Sequence, residues 1–425
     1  MNFLRISFKS NVKEAKMRSD VYELLNNHVL PPECRQKRIM VNVMSTFYVQ
    51  CKRVLLGLGT KHAFVGIWRP IEIIYFDHIS IENFSPLIEP YEKTHFLIKN
   101  MVSIYCYSNF QNFKIELSLD EIGLTKYTLL DSIKKRIAFR SIYLNQSFVS
   151  TNFVPISIFP SRNNTLRRNF LFHSMIDANM NVLPDELGLL IWQDFMFACA
   201  LYPVNKAFLN SVKREVKEQV LRLMHHPSLL CWAGNNENEL AISAGWYFAK
   251  NYSKELQSKD YLILYKQTIQ PIVEKLDTSR PFLLSSPSNG IETEIQGGIS
   301  ENPGSSLYGD IHFYVETKNL WEDSTYLIPR CATEFGVQSM PFKSTMVNWI
   351  KEKDWKYISE TLLERQHHPG ISSNSSTSFI DEFAFLSQVH QAIALQTQIE
   401  HYRRWRSNLN LTNGLGIQCV QCIGS

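Results

Sequence analysis

Several features that would assign a chain to a common class of protein are missing from this sequence. The net charge is only +4 over 425 residues, which is too small to indicate binding to nucleic acid or to a membrane surface. No run of apolar residues is long enough to span a bilayer. Of the eight cysteines, only Cys419 and Cys422 have the spacing of a metal or redox pair, and no second pair accompanies them. We therefore expect neither nucleic acid nor a membrane among the partners, and we assign these two cysteines no role.

An apolar leader of the kind found in signal peptides is also absent from the first ten residues. The sequence nevertheless contains acceptor triplets for N-glycosylation, which favour a secretory history only mildly because such triplets arise by chance. They lie at Asn83, Asn145, Asn163, Asn251, Asn374 and Asn410. Pro86 weakens the first of them. Acceptor sites without a leader lead us to expect that the true N-terminus is missing from this chain.

The bulk composition is that of a folded protein. Hydrophobic residues make up 44% and charged residues 20% of the chain, and 425 residues are enough for two or three domains. Aromatic residues are plentiful, with 26 Phe, 18 Tyr and 8 Trp. They would suit a carbohydrate pocket, but they suit a hydrophobic core equally well, so the composition leaves both open.

The most informative stretch covers residues 228–239. Pro227 ends a preceding helix, and residues 228–233 are a short apolar run of the kind that forms a strand buried on both faces. The run ends abruptly in Gly-Asn-Asn-Glu-Asn-Glu. Amides and carboxylates at the C-terminal mouth of a buried strand are where a barrel enzyme keeps its chemistry. A solvated turn between a strand and a helix is the alternative interpretation.

A second stretch of the same form carries another carboxylate. Residues 329–336 are a short run that ends in Glu334, followed by Phe-Gly. Two carboxylates at the ends of two strands of one barrel can face each other across a pocket, and glycoside hydrolysis requires such a pair. One acts as acid and then base, and the other acts as nucleophile. If the enzyme retains configuration, the carboxyls of Glu237 and Glu334 should lie about 5–5.5 Å apart at the C-terminal end of the strands.

Several longer motifs surround these carboxylates. They occupy residues 190–203, 225–228, 234–239, 281–287, 309–314, 333–336 and 400–406. Together they resemble the retaining β-mannosidases of glycoside hydrolase family 2. The resemblance is close from about residue 159 to residue 406, patchy from residue 12 to residue 148, and absent at both termini.

This resemblance implies a multidomain protein with β-rich segments followed by an α/β barrel. Residues 1–70 would be the remnant of a jelly-roll-like sugar-binding domain, residues 71–148 an immunoglobulin-like β-sandwich, and residues 149–425 an incomplete TIM-type (β/α)8 glycosidase barrel. In the β-rich part, residue patterns predict strands over 71–76, 96–98, 102–107, 113–117 and 137–144. In the barrel they predict strands over 179–182, 189–195, 228–233, 281–287, 309–314 and 330–336. They predict helices over 12–25 (or a loop), 167–178, 205–225, 260–276, 349–367 and 379–406.

The sequence departs from the family's pattern at three places around the predicted pocket. Residues 55–59 read Leu-Leu-Gly-Leu-Gly where the family has a Trp-Asp-Trp-Gly motif that shapes the pocket. Residues 183–188 lead directly from one predicted strand into the next, although parallel neighbours need a crossover of about a dozen residues. The chain also ends where the family continues into an eighth strand. We therefore expect an incomplete second unit of the barrel and a missing eighth unit.

The resemblance also assigns roles to residues of the predicted pocket. Glu237 would be the acid/base, with Glu239 as its rival, and Glu334 would be the nucleophile that forms a glycosyl-enzyme. The acid must keep its proton at working pH, so we expect a neighbouring carboxylate or an apolar wall beside it. Asn236 would hydrogen-bond the 2-OH of the sugar or the nucleophile, and capping of the following turn is the alternative role.

Further candidates for substrate binding lie near predicted strand ends. They are Trp192, Asp194, His312, Tyr314 and, as a stacking platform for the sugar, Trp246. Packing in the core is the alternative for the aromatic residues. The histidine pairs at 225–226 and 367–368 lie beside prolines and helix ends, where a terminal charge is more typical than a metal ligand. No cluster of residues has metal-ligand spacing, and the two-carboxylate mechanism requires no cofactor.

The implied function is a retaining exo-β-mannosidase that releases terminal β-mannose from oligosaccharides derived from N-glycans, with residence in the lysosome. The three departures support an alternative, which is a catalytically impaired remnant of such an enzyme. Another glycosidase of family 2 is less well supported, because Gly-Asn-Asn-Glu-Asn-Glu is typical of the mannosidase branch.

Overall fold

The computed structural model describes the chain in separate stretches. They are residues 11–26, 79–92, 95–106, 142–143, 157–158, 171–175, 184–185, 190–247, 251–315, 318–347, 350–355, 359 and 377–405. Several predictions fall outside these stretches, among them the Leu-Leu-Gly-Leu-Gly segment and the predicted strands over 71–76, 113–117 and 179–182. The domain boundaries at residues 70 and 148 also lie outside them, so the division into three domains stays a prediction.

The strands and helices alternate along the second half of the chain. The strands are β1 (Ile79–Glu92), β2 (His95–Cys106), β3 (Ile142–Tyr143), β4 (Ser157–Ile158), β5 (Leu171–Met175), β6 (Leu190–Asp194), β7 (Leu229–Ala233), β8 (Phe282–Leu283), β9 (Asp310–Phe313) and β10 (Cys331–Phe335). The helices are α1 (Asn11–Asn26), α2 (Lys206–Leu223), α3 (Asn238–Ser243), α4 (Lys254–Tyr261), α5 (Gln270–Leu276), α6 (Ile291–Ile295), α7 (Lys343–Met346) and α8 (Thr377–Trp405). A π-helical segment, Leu262–Ile269, joins α4 to α5, and two short 3₁₀ turns are Asp323–Thr325 and Glu352–Asp354.

Strands β5 to β10 form a framework of two adjoining parallel sheets. Strands β5, β6, β7 and β8 pair side by side in this order, and β9 pairs with β10, all in parallel. The two groups meet beyond the end of β8, where the amide of Asp310 donates to the carbonyl of Ser288 at 3.2 Å. Strand β10 in turn contacts β5, at the far edge of the four-stranded group. Since parallel neighbours point the same way, the C-terminal ends of these strands meet at one end of the framework.

The helix predicted over residues 167–178 is wrong, because β5 occupies Leu171–Met175. Its register with β6 runs from Leu171 opposite Leu190 to Met175 opposite Asp194. A short apolar run fits a buried strand as well as a helix, so periodicity alone could not decide between them. Residues 176–189 separate β5 from β6, which is the length of connection that parallel strands need, and the incomplete second unit stays a prediction.

Helix α2 agrees with its prediction. The side chain of Asn205 accepts a hydrogen bond from the amide of Phe208, which caps the first turn. One face of the helix is buried at the spacing of three to four residues that an amphipathic helix requires. The buried residues are Val212, Val216, Val220 and Leu223. Strand β7, five buried residues long, follows directly after the turn at the end of this helix.

Helix α8 also agrees with its prediction, over Thr377–Trp405 instead of residues 379–406. The helix predicted over 260–276 begins earlier, with α4 at Lys254, and continues through the π-helical segment into α5. Of the helix predicted over 349–367, the described residues contain only the 3₁₀ turn Glu352–Asp354.

In the β-rich part, the two short strands predicted over 96–98 and 102–107 are one strand, β2. It pairs along its length with β1 in an antiparallel hairpin. The hairpin packs on α2 through Ser85, whose buried hydroxyl donates to the carbonyl of Leu221 in that helix at 2.6 Å. Leu87 and Met101 extend this contact, since both pack into the same hydrophobic cluster as Val220.

Apolar side chains fill both sides of the strands. On the helix side, Trp232 of β7 stacks with Phe195 in a cluster that includes the buried face of α2. The Trp232 indole N–H donates to the Asp277 carboxylate at 2.9 Å, so its one polar group is satisfied. Leu230 and Ala233 of the same strand belong to a second cluster with side chains of β6 and β8. The strands are thus rigid supports for the turns that follow them.

Candidate active site

Glu237 lies in the turn between β7 and α3. Its backbone is left-handed, with φ 63° and ψ 5°, a conformation that costs about 1–3 kcal/mol for a residue with a side chain. A hydrogen bond from another loop stabilises the turn, since the Glu237 amide donates to the carbonyl of Ser286 at 2.7 Å. The left-handed turn directs the buried side chain of Glu237 towards the ends of β9 and β10.

Asn236 ties together the loops that follow β6, β7 and β8. Its backbone forms parallel bridges to Ala198 on one side and to Ser286 on the other. Its amide donates to the carbonyl of Phe197 at 2.8 Å, and its carbonyl accepts from the amide of Cys199 at 3.0 Å. Asn236 is therefore fixed by its backbone, which leaves its side chain to act on neighbouring groups.

His312 connects the two carboxylates that the sequence singled out. Glu334 and His312 are partners in the parallel register of β10 and β9, so their side chains lie next to each other. The Nδ1 atom of His312 is 2.7 Å from Oε1 of Glu237 and 3.3 Å from Oε2 of Glu334. The structure thus brings Glu237 and Glu334 together across one imidazole nitrogen.

Glu334 accepts hydrogen bonds from two further predicted site residues. The side-chain amide of Asn236 donates to Oε1 at 2.6 Å, and the hydroxyl of Tyr314 donates to Oε2 at 2.9 Å. Hydrogen bonds of this kind favour the ionised form of a carboxyl group. We use the name carboxylate cluster for Asn236, Glu237, His312, Tyr314 and Glu334.

A group of side chains that sequence reasoning missed supports His312 from behind. The Nε2 atom of His312 is 3.2 Å from the hydroxyl of Ser286, and that hydroxyl donates to the carboxylate of Asp310 at 2.7 Å. Thr333 donates to the same carboxylate at 2.7 Å. Alternate residues of a strand share a face, and Asp310 lies two residues before His312. This spacing could have indicated that Asp310 lies on the same side of the strand as His312.

Cys199 is another residue that the sequence did not single out. Its backbone is left-handed, with φ 45°, and its Sγ lies 3.1 Å from Oε2 of Glu237 and 3.4 Å from Oδ1 of Asn236. Cys199 belongs to the motif at residues 190–203. Its neighbours in that motif are apolar or small, so nothing in the sequence indicates that its thiol lies beside a carboxylate. The oxygens of Glu237 therefore contact a histidine on one side and a thiol on the other.

The rival acid, Glu239, lies in a different environment. Its Oε1 accepts from the amide of Ser300 at 2.8 Å and from the hydroxyl of Thr293 at 3.3 Å. Burial raises the pKa of the Glu239 carboxyl from 4.5 to about 8, although these two hydrogen bonds act in the opposite direction. Glu239 is therefore protonated at neutral pH. We use the name Glu239 pocket for Glu239, Thr293 and Ser300.

The other predicted binding residues are buried in different ways. Asp194 is fully buried at the end of β6, level with Ala233 of β7. Trp192 packs in the hydrophobic cluster shared by β6, β7 and β8. Trp246 is partly buried against the helix-side cluster around α2. Both roles of Trp192 and Trp246, substrate binding and packing, stay predictions.

One residue of the histidine pair after α2, His226, contacts a carboxylate. Nδ1 of His226 is 2.6 Å from Oδ2 of Asp185, and the amide of Ser228 donates to Oδ1 of Asp185 at 2.8 Å. Burial of Asp185 opposes its ionisation, but the hydrogen bonds from His226 and Ser228 outweigh burial and lower the pKa of this carboxyl. The pair at 367–368 lies outside the described residues.

Among the described residues, only Glu237, His312 and Glu334 could together hold a metal ion. One ligating atom from each lies within 4.8 Å of the others. The distance of 2.7 Å between His312 Nδ1 and Oε1 of Glu237 is that of a hydrogen bond, and Glu334 lies slightly farther away, at 3.3 Å.

The sequence is similar to those of known β-mannosidases. No protein-family model matches the chain. A "probable beta-mannosidase" of Caenorhabditis elegans is 34% identical over 98% of this chain, and the β-mannosidase of Bos taurus is 40% identical over 63% of it. This chain is therefore similar to β-mannosidases over almost its whole length. The crystal structure of a β-D-mannosidase from Dictyoglomus thermophilum, 25% identical, superposes on 69% of the chain with a TM-score of 0.52.

The chain spans only part of the β-mannosidases that it matches. It covers 59% of the nematode relative, 34% of the bovine relative and 39% of the bacterial structure. The nematode alignment extends over 531 positions, although this chain has 425 residues. The relative therefore has more than a hundred residues, within the aligned range, that have no counterpart here. This alignment is consistent with a deletion inside the chain relative to the nematode protein.

The membrane question has a limited answer. Within the described parts of this chain, no helix combines the length and the apolar character that crossing a bilayer requires.

Proposed function

We propose that this chain carries the catalytic centre of a retaining exo-β-mannosidase. The observation that carries the proposal is the carboxylate cluster, in which two buried carboxylates from different strand ends approach one histidine nitrogen. One oxygen from each carboxylate lies within 4.8 Å of the other. This approach supports the shorter of the two carboxyl separations known for glycosidases, which is about 5–5.5 Å and accompanies retention.

The two carboxylates have surroundings that suit different roles. Glu334 accepts hydrogen bonds from Asn236 and Tyr314, which favour the ionised form that a nucleophile needs. Glu237 instead has a histidine nitrogen and a thiol as neighbours. We therefore assign Glu334 as the nucleophile and Glu237 as the acid/base.

The reaction follows from this assignment as a double displacement. Glu334 attacks the anomeric carbon of the terminal mannose while Glu237 gives its proton to the leaving oxygen, and a glycosyl-enzyme forms. Glu237 then takes a proton from the water that attacks this intermediate, and mannose and free Glu334 result. Asn236 holds the nucleophile before the attack, and we assign it the additional role of a hydrogen bond to the 2-OH of the sugar.

The substrate class follows from the family. We propose terminal β-mannosides of oligosaccharides derived from N-glycans, and lysosomal residence. In the described residues, the acceptor site at Asn251 is exposed, whereas Asn83 donates to the buried hydroxyl of Ser85. A glycan at Asn251 in protein from a secretory host would support this residence, and a bare Asn251 would oppose it.

A catalytically impaired remnant is the less favoured alternative. Both carboxylates are present and buried, and the residues that hydrogen-bond them approach from the ends of three strands, β6, β7 and β9. Such an arrangement is what holds reacting groups in a productive geometry.

A covalent trap tests the proposal. The chain of residues 1–425 is treated with an activated 2-fluoro-mannoside, which forms the glycosyl-enzyme faster than water removes it, and the adduct is located by peptide mass spectrometry. We expect the adduct on Glu334, with none in Glu334→Gln and an unchanged yield in Glu301→Gln, an exposed glutamate. An adduct on another residue, or a folded protein that forms none, would overturn the proposal.

A further inference from the structure

The protons around Asp310 can be assigned from hydrogen-bond partners alone. Its Oδ2 lies 2.7 Å from the hydroxyls of Ser286 and Thr333, and its Oδ1 lies 2.8 Å from the amide of Ser288. The amide can only donate, and three donors at these distances favour the ionised carboxylate. Asp310 is therefore an acceptor, and the single proton of the Ser286 hydroxyl is directed towards it.

This assignment fixes the ring of His312. A serine hydroxyl has one proton and two lone pairs, so once Ser286 donates to Asp310 it can only accept from other groups. The Nε2 atom of His312 lies 3.2 Å from the same hydroxyl. Nε2 must therefore carry a proton. The other nitrogen, Nδ1, is left to interact with the carboxylates of Glu237 and Glu334 at 2.7 and 3.3 Å.

We propose that Asp310 and Ser286 are positioning residues that hold His312 in the tautomer protonated at Nε2, so that Nδ1 shares the proton of Glu237. The inference rests on the proposed function, because it concerns how the acid keeps its proton. In one state the proton is on Oε1 of Glu237 and is donated to Nδ1. In the other the O–H bond has broken, an N–H bond has formed at Nδ1, and the resulting imidazolium lies between two carboxylates.

The groups around His312 make this sharing possible. Glu237 approaches from the turn after β7 and Glu334 from β10, and both are buried with the ring. From its own strand and the loop after it, Asp310 and Tyr314 complete the surroundings, the latter through its bond to Glu334. Low polarity around buried groups strengthens such hydrogen bonds. The opposite tautomer, with the proton on Nδ1 of a neutral ring, would donate to Glu237 and stabilise it as a carboxylate, which is the wrong form for an acid.

Asp310→Asn is the variant that reverses the tautomer. The amide of Ser288 still needs an acceptor, so the oxygen of the new side chain stays at the Oδ1 position and its NH₂ group faces Ser286 and Thr333. Ser286 then accepts from this NH₂ group, and its own proton turns towards Nε2 of His312. The neutral ring must accordingly carry its proton on Nδ1. Replacement of an aspartate by asparagine behind a catalytic histidine is known to act in this way in serine proteases.

Nitrogen NMR of the histidine rings reads the tautomer without any substrate. The chain is labelled with ¹⁵N-histidine, and the His312 ring is assigned by comparison with His312→Gln. In the unsubstituted chain we expect an N–H type shift for Nε2 throughout the pH range in which it is folded, with only Nδ1 changing. Asp310→Asn should exchange the two nitrogens. Thr333→Val, which also removes a hydrogen bond to Asp310 but leaves the Ser286 link, should not exchange them.

Kinetics supply a second readout. In Asp310→Asn, kcat/KM for a mannoside with a poor leaving group should fall about a hundredfold, and a substrate that needs no protonation should lose much less. The alkaline limb of the pH profile should move to lower pH. An unprotonated Nε2 of His312 in the unsubstituted chain would overturn the proposal, even if Asp310→Asn fails to fold. An unexchanged tautomer in folded Asp310→Asn would do so too. If only the proposed function is wrong, NMR will still show the proton on Nε2 of His312, but the chain will not turn over mannosides.

Discussion

Glu237 and Glu239 are two residues apart and equally buried, yet their surroundings differ. In the carboxylate cluster, Glu237 contacts His312 and Cys199, which arrive from other strand ends and can both exchange protons. In the Glu239 pocket, the carboxyl contacts the backbone amide of Ser300 and the hydroxyl of Thr293. Neither of these donors titrates near neutral pH.

Burial alone does not make a carboxyl group suitable for catalysis, because Glu237 and Glu239 are both buried but have different neighbours. The Glu239 pocket fixes a neutral acid in place and so stabilises the loop that contains Ser300. The carboxylate cluster gives Glu237 partners that can take up and return its proton, and it places a second carboxylate nearby. The first arrangement suits a structural role, and the second suits acid and base catalysis.

The largest expected effect comes from exchanging the two glutamates for glutamine one at a time. Glu237→Gln should lower kcat/KM by about 10²–10⁴-fold on mannosides with poor leaving groups, because these need a proton. Substrates with good leaving groups should be spared in the first step. Glu239→Gln should change both substrate types by the same modest factor. Steady-state rates on a matched pair of aryl and oligosaccharide substrates measure this, and a leaving-group dependence in Glu239→Gln would reassign the acid.

The second prediction concerns stability in the Glu239 pocket. The folded-state pKa of Glu239, about 8, lies above the ordinary value of 4.5, so its contribution is complete below pH 4.5 and is lost as the pH rises through 8. Between pH 5 and 8 the free energy of unfolding should fall by up to about 1.4 kcal/mol per pH unit from this group. Glu239→Gln should flatten that slope in urea unfolding.

Asp185 does not disturb this measurement. Its pKa is lowered below 3.8, so it stays ionised throughout the same pH range, and its own contribution is lost only in stronger acid. Equal slopes for Glu239→Gln and the unsubstituted chain would show that Glu239 is not a neutral buried acid.

The third prediction concerns the backbone behind the carboxylate cluster. A Cβ on Gly309 would overlap the carbonyl of Ser288, the residue that anchors Asp310. We expect Gly309→Ala to reduce stability by about 2 kcal/mol through overpacking. Gly245→Ala is the control, since φ at Gly245 is positive, at 65°, and no atom lies within 4 Å of the added Cβ, so this variant adds backbone strain without a close contact. It should cost only about 1 kcal/mol. Chemical unfolding compares the two, and an equal loss would argue against the close approach.

Sequence alone predicted the parts of this structure that depend on short-range pattern. The apolar run of β7, the stripe of α2 and the long helix α8 all follow from periodicity that is repeated several times. Sequence placed Glu334 and His312 at predicted strand ends, but their pairing in the register of β10 and β9 comes from the structure. The helix predicted over residues 167–178 was wrong because its single apolar run fitted β5 as well.

Sequence could not separate Glu237 from Glu239 on physical grounds. In an extended chain, residues two positions apart point the same way, so both carboxyls would have faced one pocket. The left-handed backbone at Glu237 ends the extended conformation of the chain. Glu239 therefore lies in α3, and its side chain points towards Ser300. Cys199 and Ser286 were missed for a related reason, since their contacts depend on how separate loops meet.

The left-handed turn at Glu237 also bears on how selection acts on this chain. A glycine at this position would relieve the backbone strain, so mutational drift in a lineage that no longer needs catalysis would favour replacement of Glu237. A strained glutamate is maintained only where lost activity outweighs the gain in stability. The left-handed conformation of Glu237 is what we expect if the proposed acid/base role keeps this residue in place.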